Sequence, residues 1–247
     1  MQKKTRLQPL ICLKNDKILG YEALYQKNAD ERYPNAVKML DNIFSAGISN
    51  LDCHLFINMN PEDVSDKNFC SEILKVLEKW DIDAEKIVLE INESTPPSVL
   101  KDAKKYLDIL RSYNFKIALD DFGTEYSNIF YMSELPVDII KIDKKFVQDA
   151  PRNQKVRTLL KYCVAISHDF GCQVVAEGVE NSEQLECMTE SQVDIGQGFF
   201  FAAPSLSSYQ NSPFISLEDF ARYMSVKNIS IPRTNFPGGF ISFSVQV

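Results

Sequence analysis

The sequence predicts an α/β fold, a (β/α)8 TIM-like barrel whose first strand is antiparallel, and three observations lead to this prediction. Eight short apolar runs alternate with longer amphipathic stretches, as strands alternate with helices. The chain has 247 residues, close to the roughly 250 that one such barrel needs. Only residues 14–17 join the first two runs. A parallel crossover takes about a dozen residues, so these two strands should form an antiparallel hairpin.

The predicted strands are short and rich in β-branched residues, which favour extended backbone. In chain order they are residues 7–13, 18–25, 55–58, 87–91, 116–120, 139–142, 173–177 and 196–201. The predicted helices lie between these strands, with one more after the last strand. They are residues 35–48, 66–80, 97–113, 153–169, 182–191 and 216–225.

The segment 97–113 shows the helical pattern most clearly. Its apolar residues recur every three to four positions, as on the buried face of a helix; they are Val99, Ala103, Tyr106, Leu107 and Leu110. Pro96 and Pro97 precede them, where the first turn of a helix tolerates proline. We expect one barrel domain over residues 1–225 and a C-terminal extension of unknown role over 226–247, either an edge strand or a tail.

The composition excludes several classes of function. The chain carries 27 Lys+Arg against 34 Asp+Glu, a net charge of −7, whereas a protein that binds DNA or RNA duplexes through the backbone carries a basic face. No apolar run approaches the roughly 18–20 residues of a membrane span, and no signal-peptide core follows the basic start. The six cysteines form no C-x-x-C pair. We therefore expect a cytoplasmic protein with reduced thiols and no zinc site on cysteine.

Polar residues end the predicted strands, and this pattern carries the functional information. They are Glu22, Asn58, Glu90, Asp120, Asp121, Lys141, Glu177 and Gln197. In a (β/α)8 barrel, residues at the carboxyl ends of different strands converge on one mouth, where the active sites of barrel enzymes lie. Each residue alone would more often be an exposed charge or a turn residue. Their combination on seven predicted strands favours a functional site.

Five of these residues are carboxylates and Lys141 is the one obvious cation among them. Buried together without further compensation, they would cost several kcal/mol for each unpaired charge. Oxygen ligands of this kind suit Mg²⁺ or Mn²⁺. Two such ions, about 3.5–4 Å apart, are a known arrangement for displacement at phosphorus. The residues alone therefore predict a metal-assisted phosphoester hydrolase.

An ordered series of motifs resembles the EAL domains, the cyclic di-GMP phosphodiesterases of bacteria. The signature Glu-Ala-Leu stands at residues 22–24. The other motifs follow in the order of the family, at residues 89–93, 120–124, 137–143, 175–180 and 197–199. The resemblance covers about residues 5–225 and implies a barrel with an antiparallel first strand. It also implies hydrolysis of cyclic di-GMP to linear pGpG with two Mg²⁺ or Mn²⁺ ions.

The resemblance assigns roles to individual residues. One metal would be held by Glu22, Asn58, Glu90 and Asp120, and a second by Asp120, Asp121 and Glu177. Lys141 would orient or polarise the attacking water, and Gln197 would hydrogen-bond in the water and metal shell. Glu93 would steady the loop after the Asp-Asp pair and support metal binding and dimer contacts. The substrate would contact Leu24, Gln26, Asp143 and Glu180.

The resemblance also implies a homodimer formed through the region after the Asp-Asp pair. An apolar cluster occurs there, at Tyr126, Ile129, Phe130, Tyr131 and Met132. The alternative interpretation is that these side chains simply pack against the barrel.

Two residues depart from the family pattern. Gln26 stands where the family has an arginine that contacts a ligand phosphate, and Glu125 stands where glycine is frequent. Loss of a charge-assisted bond at Gln26 would cost about 1–3 kcal/mol of ligand binding. These departures support an alternative, a weak or inactive domain that acts as a cyclic di-GMP receptor or a protein-binding regulator. A glycosidase barrel is a further alternative, but Trp80 lies in a predicted helix, away from the strand ends.

Overall fold

The computed structural model describes residues 5–25, 34–46, 53–60, 63–64, 66–93, 95–123, 130–201 and 215–216. Its strands are β1 Thr5–Cys12, β2 Ile18–Tyr25, β3 His54–Asn58, β4 Ile87–Asn92, β5 Lys116–Phe122, β6 Ile139–Ile142, β7 Gln173–Ala176, β8 Ile195–Gly196 and β9 Ile215–Ser216. Its α-helices are α1 Ala36–Ser45, α2 Phe69–Trp80, α3 Pro97–Ser112, α4 Phe130–Glu134, α5 Lys144–Asp149, α6 Gln154–Asp169 and α7 Ser182–Glu190.

The strands close into an eight-stranded barrel. Strands β2 to β8 follow one another in parallel, and β1 lies between β8 and β2, antiparallel to both. This arrangement confirms the predicted (β/α)8 barrel with an antiparallel first strand. Strand β9 pairs with the N-terminal part of β1, where Ile215 lies opposite Leu7 in the register.

Two predicted elements differ from the structure. The strand predicted over 196–201 is only Ile195–Gly196, because the chain turns after Gly198, where φ is +151° and the backbone of Phe200 bonds to Val179. The helix predicted from residue 216 is wrong at its start, since Ser216 lies in β9. Residues 217–225, like the extension 226–247, lie outside the described residues.

The core has two layers. Inside the barrel, seven strands each contribute one buried side chain to a single cluster; these are Leu10, Phe56, Val88, Ala118, Ile139, Val175 and Ile195. Outside the barrel, a larger cluster packs the strands against the helices. The apolar face of α3 takes part as predicted, since Ala103, Leu107 and Leu110 are fully or almost fully buried.

None of the six cysteines, all of which the structure describes, forms a disulfide bond; three are buried and three are partly buried. Among the described helices, none is both long and apolar enough to pass through a lipid bilayer.

His54, at the start of β3, leads to a prediction about the pH dependence of stability. Burial lowers the pKa of its imidazole, and the nearby Lys116 lowers it further, although a bond to the carbonyl of Leu19 opposes this. As the pH falls, the unfolded chain, whose histidine has a pKa of about 6.5, therefore takes up the proton before the folded chain does. The stabilisation is complete above that pH and declines as the pH falls towards the lowered pKa of the folded state.

We therefore expect His54→Gln to flatten the decline in the free energy of unfolding between pH 7 and 5, measured by urea titration. His168→Gln is the control, because that exposed imidazole lies beside Asp194 rather than in the core. A wild-type pH slope in the His54 variant would contradict the prediction.

Candidate active site

A layer of polar side chains lies directly above the apolar cluster inside the barrel. Side chains alternate between the two faces of a strand, so residues two positions apart share the interior face. On six strands or their ends, the residue two positions beyond the apolar one is polar; these are Asn58, Glu90, Asp120, Lys141, Glu177 and Gln197. Strand β1 runs the other way, so its polar residue comes two positions earlier, at Gln8, opposite Glu22 in the register.

Lys141 lies at the centre of this layer. Its side chain is completely buried, and its Nζ lies 2.6 Å from Glu90 Oε1, 2.7 Å from Glu177 Oε1 and 2.9 Å from Asp120 Oδ1. A fourth carboxylate oxygen, Glu22 Oε2, lies 3.4 Å away. The structure thus brings together the cation and the carboxylates that the sequence placed on separate strands.

Two amides bind the carboxylate of Glu22. Asn58 Nδ2 donates to Glu22 Oε1 at 3.1 Å, and Gln197 Nε2 donates to Glu22 Oε2 at 2.6 Å. Gln197 Nε2 also donates to Gln8 Oε1 at 3.1 Å. Both oxygens of Glu22 are therefore oriented by neighbouring strands.

Asp120, Asp121 and Glu177 form a compact acidic cluster. One carboxylate oxygen from each lies within 4.8 Å of the others, an arrangement that could hold a metal ion. Consecutive strand residues normally point to opposite faces. Here Asp121 adopts φ +58°, and the pairing of β5 with β6 shifts register between Leu119 and Phe122. This irregularity lets adjacent aspartates serve one site, and Asn92 Nδ2 donates to Asp121 Oδ2.

The pKa values of the site reflect its burial and crowding. Burial raises the pKa of Glu90 well above its usual value, and the nearby Glu22 carboxylate adds to this. Burial also raises the pKa of Glu177 to about 8 and raises that of Asp121. Burial alone would lower the pKa of Lys141, but the surrounding carboxylates raise it well above its ordinary range. Lys141 is thus charged, and the raised pKa values of Glu90 and Glu177 show that this one cation does not fully stabilise the surrounding carboxylates as anions.

Glu93 contacts the backbone on either side of Asp121. Its Oε2 accepts from the backbone N–H of Gly123 at 3.3 Å, and its own N–H donates to the carbonyl of Asp120. The side chain is almost fully buried. Glu93 thus connects the end of β4 to the backbone at both sides of Asp121.

A cavity of about 340 Å³ opens above the polar layer. Its lining includes the expected residues Glu22, Leu24, Asp120, Glu177, Glu180 and Gln197, together with Gln8, Lys144, Gln148, Gly178, Gly198 and Phe199. Glu90 and Lys141 lie beneath it and are completely buried. Asp143 does not line it; its side chain caps α5 by accepting from the N–H of Lys145. Gln26 and Glu125 lie outside the described residues.

Sequence reasoning missed four polar residues of this site: Gln8, Asn92, Lys144 and Gln148. Gln8 carries a detectable signal, because it is a polar residue within an apolar strand, as the recognised site residues are. Asn92 lies within the motif at residues 89–93, but its type gives no sign that it binds Asp121. Lys144 and Gln148 lie in the short helix α5, and only the folded structure places them at the cavity.

The family model described as "EAL domain" matches residues 2–204 of the chain. The chain is 36% identical over 151 residues to the cyclic di-GMP phosphodiesterase PdeL of Escherichia coli, a match that covers 61% of this chain and 42% of that protein. The chain spans less than half the length of the first curated relatives it matches.

Solved structures with the same fold include an EAL domain protein from Listeria monocytogenes and the EAL domain of DcpA from Mycobacterium smegmatis. The first is 26% identical with a TM-score of 0.71, covering 92% of this chain and 94% of the other. The second is 23% identical with a TM-score of 0.75, covering 91% and 96%.

Proposed function

Because the chain belongs to the EAL domain family, we propose that it hydrolyses cyclic di-GMP to linear pGpG with the help of divalent cations. The relative PdeL is named as a cyclic di-GMP phosphodiesterase. The observation that carries the proposal is the set of carboxylates gathered around Lys141 at the floor of the cavity.

The residues present fit divalent cations. Five carboxyl groups converge with one lysine among them, so a single cation faces more oxygen ligands than it can neutralise; they are Glu22, Glu90, Asp120, Asp121 and Glu177. In addition, Glu90 Oε2 and Gln197 Oε1 are buried without a hydrogen-bond partner among the described residues. Unpaired oxygens and uncompensated carboxylates are costly unless a cation is bound. Oxygen donors of this kind suit Mg²⁺ or Mn²⁺.

We assign the ligands of two ions as the family resemblance implies. Glu22, Asn58, Glu90 and Asp120 would hold one ion; Asp120, Asp121 and Glu177 would hold the other. The acidic cluster of Asp120, Asp121 and Glu177 supports the second assignment. The chemistry that such ions would supply is the acidification of a water molecule and the polarisation of a phosphoryl oxygen.

The chain itself contributes positioning and charge. The ammonium of Lys141, held between Asp120 and Glu177, places a positive charge that orients or polarises the attacking water. Gln197 Oε1, buried at the cavity floor without a partner among the described residues, accepts a hydrogen bond from it. The water oxygen forms a bond to phosphorus, one P–O bond of the ring breaks, and the proton from water passes to the leaving oxygen.

We expect the substrate to contact residues at the rim of the cavity. Leu24 and Glu180 line it, and we propose that they contact the ligand; Gln26 and Asp143 are further candidates from the family resemblance. Lys144 also lines the cavity and adds a positive charge for the phosphates. The homodimer, the cytoplasmic location and the barrel boundary at residue 225 stay predictions.

The test is chromatographic detection of pGpG after incubation of the protein with cyclic di-GMP and Mg²⁺ or Mn²⁺. We expect product with either ion, none with EDTA, and a rate at least about 100-fold lower for Glu22→Gln, since even residues behind metal ligands cost 10- to 100-fold when removed.

Glu183→Gln, on the exposed first turn of α7, is the matched control and should retain the wild-type rate. If the folded wild type forms no pGpG with either ion, the hydrolase proposal fails. Calorimetric binding of cyclic di-GMP in Ca²⁺ would then show whether the chain is a receptor.

A further inference from the structure

A chain of side-chain hydrogen bonds connects three strands at the seam of the barrel. Strand β1 lies between β8 and β2, and Gln8 projects from it into the cavity. Its Oε1 accepts from Gln197 Nε2, which follows β8, and the same Nε2 donates to Glu22 on β2. Gln8 and Glu22 are also direct cross-strand neighbours.

The contacts of Gln197 fix the direction of both hydrogen bonds in this network. Its NH₂ group faces Glu22, because Gln197 Nε2 lies 2.6 Å from Glu22 Oε2 and donates to it. One N–H of that group remains, and Gln8 must therefore turn its carbonyl oxygen towards it. Both donors of Gln197 are then used, and its Oε1 points away, buried and without a hydrogen-bond partner in the described part of the chain.

We propose that Gln8 is a positioning residue for hydrolysis, and this inference rests on the proposed function. By holding the second N–H of Gln197, Gln8 prevents the amide from rotating. The rotation would move Oε1 away from the attacking water and release Glu22 Oε2 from its 2.6 Å bond. Gln8 thus acts on the site through Gln197 without touching the reacting atoms.

The size of the expected effect follows from the contacts of Gln8, which holds Gln197 against the proposed metal ligand Glu22. Residues that orient the ligands of a metal cost about 10- to 100-fold in affinity or activity when they are removed. We expect the Gln8→Met variant, which keeps length but removes the acceptor, to bind Mn²⁺ and turn over cyclic di-GMP about 10-fold less well.

A double-mutant cycle separates this role from a general effect on the barrel. The proteins are the wild type, Gln8→Met, Gln197→Met and the double variant, each tested as the full chain. Mn²⁺ affinity is measured by calorimetry, kcat and KM by pGpG formation, and the melting temperature in EDTA. Gln173→Met is the matched control, because it changes an exposed glutamine at the start of another strand, β7.

We expect Gln8→Met to lower Mn²⁺ affinity and kcat with an unchanged KM, and to have less than about a twofold effect once Gln197 is already methionine. Wild-type affinity in Gln8→Met, or an equal loss in both backgrounds, would overturn the proposal. If no protein forms pGpG but the Mn²⁺ affinities show the coupling, the hydrolase proposal fails and the positioning role of Gln8 stands.

Discussion

Lys141→Met is expected to lower the free energy of unfolding of the metal-free protein by about 3–5 kcal/mol at pH 8. The substitution keeps the length of a completely buried side chain but removes the cation between four carboxylates. Removing one partner of a buried ion pair leaves the other charges uncompensated, and the cost is of this size. Urea titration in EDTA measures it, and Mn²⁺ should restore part of the loss because cations replace the missing charge.

The rate of pGpG formation should also fall, by about 10²–10³-fold, the typical effect of removing one pre-oriented donor from an active site. Lys79→Met is the matched control: that lysine pairs with Asp41 but is 55% exposed, so its loss should cost less than about 1 kcal/mol. A Lys141→Met protein as stable as this control would show that the carboxylates do not depend on the lysine.

Gly198→Ala is expected to cost about 2–4 kcal/mol of stability, within the range of mutations that force backbone strain or overpacking. Gly198 has φ +151°, and a Cβ there would lie 2.3 Å from both N and O of Val179. Those atoms are held in place, since Val179 N–H donates to the carbonyl of Gln197. Relief of the clash must therefore move Gln197, so we also expect a loss of Mn²⁺ affinity.

Gly171→Ala separates steric overlap from conformational strain. Gly171 also has a positive φ, +77°, but a Cβ there would meet nothing within 4 Å. Its replacement should cost only about 1 kcal/mol and leave metal affinity unchanged. Equal losses in the two variants, measured by thermal denaturation, would contradict the steric explanation.

The barrel and the converging site could be predicted because each depends on local patterns. The four-residue connection at residues 14–17 predicts that the first strand is antiparallel. Each recognised site residue interrupts or ends an apolar run. A strand alternates sides, so the position of Glu90 or Lys141 on the interior face follows from neighbouring apolar residues.

What could not be predicted depends on tertiary contacts. The run of Phe199 to Phe201 looks like a strand, because a short apolar run does not distinguish a strand from a buried turn. The short helices α4 and α5 show too few turns for a periodic signal. The bonds of Gln8 and Asn92 depend on strand register, and the left-handed backbone of Asp121 has no sequence signal that glycine would have given.

The reversed first strand decides where the polypeptide enters the barrel. In a fully parallel barrel the first strand begins at the floor, opposite the catalytic mouth. Here Thr5 lies opposite Tyr25, at the rim above Glu22. A segment that precedes Thr5 in this architecture therefore meets the barrel at the mouth, three residues before Gln8.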